Sequence, residues 1–186
     1  MRRWRPLTDT NATPGSDPIL VSATDSFGGT ATQQSAPVTV NGVPVLNVPG
    51  SETTGVGKSD ALAGLSVSES GSVGSPETFT VVVSDAAGTL SAAVSGGDTV
   101  VPSNGGKTLT ISGSYAAVNA SLGTLYDTEP TAGVSVDTLT LNATDSFGNA
   151  ATQQTVAVNV NGAPSITAPA SASRATPAAL ARPSSR

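Results

Sequence analysis

An internal repeat constrains this chain more than any other feature. Residues 19–51, ILVSATDSFGGTATQQSAPVTVNGVPVLNVPGS, and residues 139–171, LTLNATDSFGNAATQQTVAVNVNGAPSITAPAS, align without a gap at an offset of 120 and agree at 17 of 33 positions. That period is far longer than a solenoid repeat, so each unit must bury a core of its own and join its neighbours end to end. Cut at the shared VNG, residues 1–42 are the C-terminal strands of a preceding, truncated repeat. Residues 43–162 are one complete repeat, and residues 163–171 open a further one. The stretch 172–186 holds mainly Ala, Pro, Ser and Arg with no periodicity, the composition of a disordered tail.

Within the complete repeat, apolar residues alternate: Leu65 and Val67; Phe79, Val81 and Val83; Leu109 and Ile111; Leu139, Leu141 and Ala143; Val156, Val158 and Val160. Each set puts apolar side chains on one face of a strand and polar ones on the other. Residues 45–48, 90–94 and 99–101 add candidate strands. The pattern predicts an all-β unit, a β-sandwich of about seven short strands separated by Gly, Pro, Asn and Ser clusters. Residues 114–125 depart from it, because Tyr115, Val118 and Leu122 fall at helical spacing and predict one short helical turn. In the ATDSFG motif, Asp145 and Ser146 turn the chain and Gly148 supplies a positive φ, with Phe147 expected to fold back onto the core edge. Residues 19–42, lacking the front of their unit, are expected either to be poorly ordered or to pair with the open edge of the complete unit.

Composition narrows the chemistry. The chain has no Cys and no His, which excludes disulfides, thiolate sites, imidazole triads and the usual zinc sites. All 13 acids lie between residues 6 and 173, where the only cations are Lys58 and Lys107. An acidic body of that kind repels phosphate, so nucleic acid is not an expected partner. No apolar run approaches the roughly 18 to 20 residues that span a bilayer, and the start MRRWRPLTDT has basic residues without the apolar segment of a signal peptide.

Three motifs invite a chemical reading. GVGKS at 55–59 ends like a phosphate-binding loop, but Glu52 stands where that loop needs its first Gly, and the segment reads as a flexible loop between the first two strands. Asp127 and Glu129 are a carboxylate pair two residues apart, with no aromatic platform near them to hold a sugar. Asn11, Asn119 and Asn142 open glycosylation triplets, which 25 Ser and 25 Thr make common by chance. Hard cations are the chemistry that suits this composition, because Ca²⁺ needs only carboxylates, carbonyls and water. Glu69 and Glu77 bracket a Ser and Gly loop, while Asp137 and Asp145 stand at opposite ends of one candidate strand.

The runs LSVSESGS, PETFTVVVSDAAGTLSAAV, GKTLTISGSYAAVNASLGTLY, DTLTLNATDSFG and VAVNVNGAP resemble the cadherin-like, immunoglobulin-like tandem repeats of large bacterial surface adhesins of the RTX or VCBS type. The resemblance covers nearly all of 43–165 and much of 7–42. It implies an immunoglobulin/cadherin-like sandwich that repeats as a non-catalytic stalk, in a secreted or cell-surface protein used in adhesion, often with calcium at the junctions. The partners it implies are neighbouring repeats of the same chain and a host or bacterial surface ligand. An alternative function is a binding module whose end loops recognise a glycan or a protein. The chain departs from the related repeats in having Ser68, Glu69 and Ser70 where paired aspartates are common, and Val160, Asn161 and Gly162 as its linker. The metal ligands this suggests are Glu69, Asp145 and the carbonyl or amide of Asn161.

Overall fold

The computed structural model describes residues 8–11, 13–71, 76–130, 133 and 135–171. The tail 172–186 and the first seven residues of the truncated repeat lie outside the described residues. Four short strands come first: β1 (Gly15–Ser16), β2 (Ile19–Val21), β3 (Gln34–Ala36) and β4 (Thr39–Val40). Residues 43–162 follow with β5 (Val45–Asn47), β6 (Ser51–Gly55), β7 (Ser59–Ala61), β8 (Ser66–Ser68), β9 (Thr78–Asp85), β10 (Thr89–Ser91) and β11 (Thr99–Ser103). They continue through β12 (Thr108–Ser114), the helix α1 (Tyr115–Leu122), β13 (Tyr126–Thr128), β14 (Val136–Asp145) and β15 (Gln154–Asn161).

The class is all-β, as the alternation requires, but residues 43–162 contain eleven described strands rather than about seven. The three that alternation misses are β6, β7 and β13, which are short and mostly polar. Pairing defines them: β6 runs parallel to β15, and β13 lies between β10 and β7. The GVGKS segment is therefore the end of β6, a tight turn and the start of β7, not an extended loop.

A six-stranded sheet in the order β11-β12-β9-β14-β15-β6 is the main layer. Its buried side chains Phe79, Val81, Val83, Leu109, Ile111, Leu139, Leu141, Val156 and Val158 join one core cluster with Leu46 of β5, Val67 of β8 and Leu90 of β10. Val118 and Leu122 of α1 join it, as do Leu62, Leu65, Leu125 and Ala143. The predicted helical turn is an eight-residue helix. Ser114 caps it by accepting from the Ala117 N–H, and Tyr115 sets its ring edge-on to Phe79 with centroids 5.8 Å apart.

The two repeat copies fold into the same hairpin. Ile19 pairs with Ala36 as Leu139 pairs with Val156, Val21 with Gln34 as Leu141 with Gln154, and the bridge Thr24–Thr30 recurs as Thr144–Ala150. Even the Asp17 N–H bond to the Val38 carbonyl matches the pairing of Asp137 with Val158. The first copy pairs with itself, β2 on β3 and β1 on β4, rather than with the edge of the complete unit. It leaves Val21 exposed where its counterpart Leu141 in the second copy is buried.

Candidate metal centre

The two central strands place the site. On β9 and the residue just before it, the inward row reads Glu77, Phe79, Val81, Val83, Asp85; on β14 it reads Asp137, Leu139, Leu141, Ala143, Asp145. Each row is acid, three apolar residues, acid, at even spacing, so period two turns all four carboxylates toward the core layer. The strands are antiparallel, with Asp145 opposite Phe79 and Leu139 opposite Asp85. Glu77 and Asp145 therefore share one pole of the core and Asp85 and Asp137 the other, about 26 Å away at about 3.3 Å per residue over eight residues. Seven of the 13 acids are buried, a placement a chain tolerates only where something satisfies the charge.

At the first pole, carboxylate oxygens of Glu69, Glu77 and Asp145 all lie within 4.8 Å of one another. Glu69 comes from the loop after β8, Glu77 from the residue before β9 and Asp145 from the end of β14. The fourth member is Asn41, in the segment between β4 and β5. Its Nδ2 donates to Glu77 Oε1 at 3.0 Å and to Asp145 Oδ2 at 2.8 Å. Asn149 Nδ2 donates to Asp145 Oδ2 and to the Gly42 carbonyl, at 2.8 and 2.9 Å. Gly42 must be glycine here, because a Cβ on it would stand 1.9 Å from the Ser70 carbonyl oxygen.

Asp145 serves the turn and the cluster with separate oxygens. Its Oδ1 accepts from the Phe147 and Asn149 N–H groups, and Gly148 takes φ 92° as the motif predicts. Phe147 does not fold back on the core: it is 64% exposed, and Phe27 in the first copy is 97% exposed. In both copies the Asp fixes the backbone of the turn by itself, so no aromatic pin is needed.

The hydrogen bonds leave oxygens over. Both carboxylate oxygens of Glu69, Oε2 of Glu77 and Oδ1 of Asn41 are enclosed without a donor. Burial first, and then the charges of Glu77 and Asp145, push the Glu69 carboxyl up to about 7. Converging acids with leftover oxygen ligands suit a hard divalent cation, which would replace the missing donors and remove the repulsion. Glu69, Glu77 and Asp145 form a cluster that could hold a metal ion.

Of the residues picked from sequence, the structure brings Glu69 and Asp145 together and adds Glu77. Asn161 stands elsewhere, at the end of β15 beside Gly55, its carbonyl accepting from the Val56 N–H. The residue in the cluster is its repeat counterpart, Asn41. Asp127 and Glu129, weighed as a catalytic pair, are buried at the opposite pole with Asp85 and Asp137. Asn119 is no open glycosylation site: its Oδ1 accepts from the Val67 N–H and its Nδ2 donates to the Val67 carbonyl. No model of a protein family matches this chain, and no curated protein does.

Proposed function

We propose that this chain is a piece of a tandem array of cadherin-like or immunoglobulin-like sandwich repeats, a non-catalytic stalk that extends an adhesive part of a bacterial surface or secreted protein. The observation that carries the reading is the seating of the linker. The Asn41–Gly42 segment that leaves one repeat copy is hydrogen-bonded into the acid cluster of the next, between Glu77, Asp145 and Asn149. A spacer needs successive units held at a fixed angle, and Ca²⁺ shared by Glu69, Glu77, Asp145 and the Asn41 carboxamide oxygen supplies that rigidity. The partners are then neighbouring repeats. Among the described residues no helix is long and apolar enough to cross a membrane; surface display or export is part of the proposal.

Burial of the carboxylates supports a structural role over catalysis, since Asp85, Asp127, Glu129 and Asp137 are too enclosed to reach a substrate. A binding role for the end loops has one observation in its favour. Phe147 is displayed at the tip of the turn next to the linker, where an aromatic contributes to recognition if a partner covers it.

Small-angle scattering of the chain with and without calcium tests the stalk. Calcium is expected to straighten and stiffen the path from the first hairpin into the complete unit, an effect lost in Glu69→Gln with Glu77→Gln. Identical profiles at millimolar calcium and in chelator would overturn the junction role.

A further inference from the structure

We infer that each complete repeat carries a second divalent-cation site, internal to the unit and at the pole opposite the linker cluster, built from Asp85, Asp127, Glu129 and Asp137. Asp85 ends β9, Asp137 lies near the start of β14, and Asp127 and Glu129 lie in and just after β13. Asp127, Glu129 and Asp137 are each 2% exposed and Asp85 6%. Four carboxylates buried this deeply in one unit need compensation that the protein supplies only in part.

The donors can be followed atom by atom. The Ala87 and Gly88 N–H groups both donate to Asp85 Oδ1, at 2.9 and 2.7 Å, and both reach Asp137 Oδ2, at 3.1 and 3.0 Å. Thr138 N–H supplies Asp137 Oδ1. No N–H or hydroxyl donates to Asp85 Oδ2 or to either oxygen of Asp127 and Glu129, so these five buried carboxylate oxygens depend on shared protons or on a cation. Lys107 reaches this loop, but its Nζ donates to the Ala86 carbonyl at 2.9 Å.

Two of those oxygens, from Asp85 and Asp127, meet a backbone carbonyl. A Cβ on Gly88 would lie 2.7 Å from Asp85 Oδ2, 2.8 Å from Asp127 Oδ1 and 2.8 Å from the Thr128 carbonyl oxygen. Three oxygens of three residues thus crowd together against Gly88, an approach that any side chain at residue 88 would block, and a cation they share would lie among them, clear of the Gly88 backbone. Carboxylates and a carbonyl with no nitrogen or sulfur among them are the donor set of a hard cation such as Ca²⁺. In the preceding copy Asp17, the counterpart of Asp137, accepts at 2.8 Å from Asn11, whose DTN triplet matches DTE at 127–129 with a shift of two residues from the offset of 120. Unlike the linker cluster, this site needs no residue from a neighbouring repeat. Its role is to lock the β9, β13 and β14 ends together.

Calorimetric titration of the chelator-treated full chain with CaCl₂ tests this separately from the junction. The wild type is expected to take up two equivalents, Asp127→Asn with Glu129→Gln one, and Glu69→Gln with Glu77→Gln one. Equal uptake by the Asp127/Glu129 variant and the wild type would overturn the internal site. Unchanged uptake by the Glu69/Glu77 variant would overturn only the junction site. Should the Asp127/Glu129 variant fail to fold, the Glu69/Glu77 variant decides, because it leaves the internal site intact. Calcium must still raise its thermal midpoint, and the absence of any rise contradicts the proposal.

Discussion

Asp145 and Asp25 are the same residue of the repeat in two settings, which separates what the turn needs from what the junction needs. Both accept two backbone N–H groups through Oδ1, from Phe147 and Asn149 and from Phe27 and Gly29. Only Asp145 also accepts from two carboxamides through Oδ2. Replacement of Asp145 by Asn keeps the turn acceptor but sets an amide against the Asn41 and Asn149 donors. A loss of about 2 kcal/mol in urea unfolding is expected, against under about 1 kcal/mol for Asp25→Asn. A second prediction at this scale follows from proton binding in metal-free protein. Burial, then hydrogen bonding with Asp137 and Asp127, pushes Asp85 up from 3.8 to about 8, and Glu69 rises to about 7. Such groups hold protons in the folded chain that they release when unfolded, so stability falls as pH rises between the ordinary carboxyl range and about 8. Asp137 is held below its usual value: burial opposes its ionisation, but bonds from Asp85 and the backbone N–H groups outweigh that, and its effect falls below this window. In chelator the urea midpoint should drop from pH 5 to pH 8, and calcium should flatten the slope. A midpoint that rises over this range in chelator would contradict these assignments.

Among the elements, α1 does work that a strand would otherwise do. Asn119 offers β8 a carboxamide in place of a neighbouring strand, its Oδ1 and Nδ2 closing on the Val67 N–H and carbonyl at 2.9 and 3.0 Å. Asn119→Ala leaves both groups of a buried residue unpaired and is expected to destabilise by about 3 kcal/mol, measured by denaturant unfolding, with Asn119→Asp recovering only the N–H bond. The helix itself was readable from Tyr115, Val118 and Leu122, and the long strands from their alternation. β6, with the sequence SETTG, was not, because a polar edge strand is defined by pairing with β15 and leaves no apolar periodicity of its own. The candidate site was half readable. Glu69 and Asp145 came from family pattern and strand ends, whereas the acid, three apolar, acid rows at 77–85 and 137–145 carried a stronger signal in plain period two. Asn161 and Asn41 are equivalent in the repeated sequence, and only the antiparallel course of β14 and β15, which carries Asn161 to the pole away from Asp145, separates them. Phe147 departs from the expectation that aromatic residues lie inside because the Asp-centred hydrogen bonds already determine the turn.

For the whole molecule, the repeat is a core with an acid cluster at each end and edges suited to an array. β11 and β6 form the edges of the main sheet; one carries Pro102 and the other Glu52, both of which discourage sideways pairing between copies. On the proposed reading, a cation at Glu69, Glu77 and Asp145 also engages the segment between β4 and β5 through Asn41. A calcium titration followed by the amide and side-chain NMR resonances puts this to the test. The Asn41 carboxamide, the Gly42 amide and the amides of Glu69, Ser70 and Asp145 should shift on one shared saturation curve, with Asn161 off that curve. Asn41 and Gly42 resonances that stay put up to millimolar calcium would contradict it.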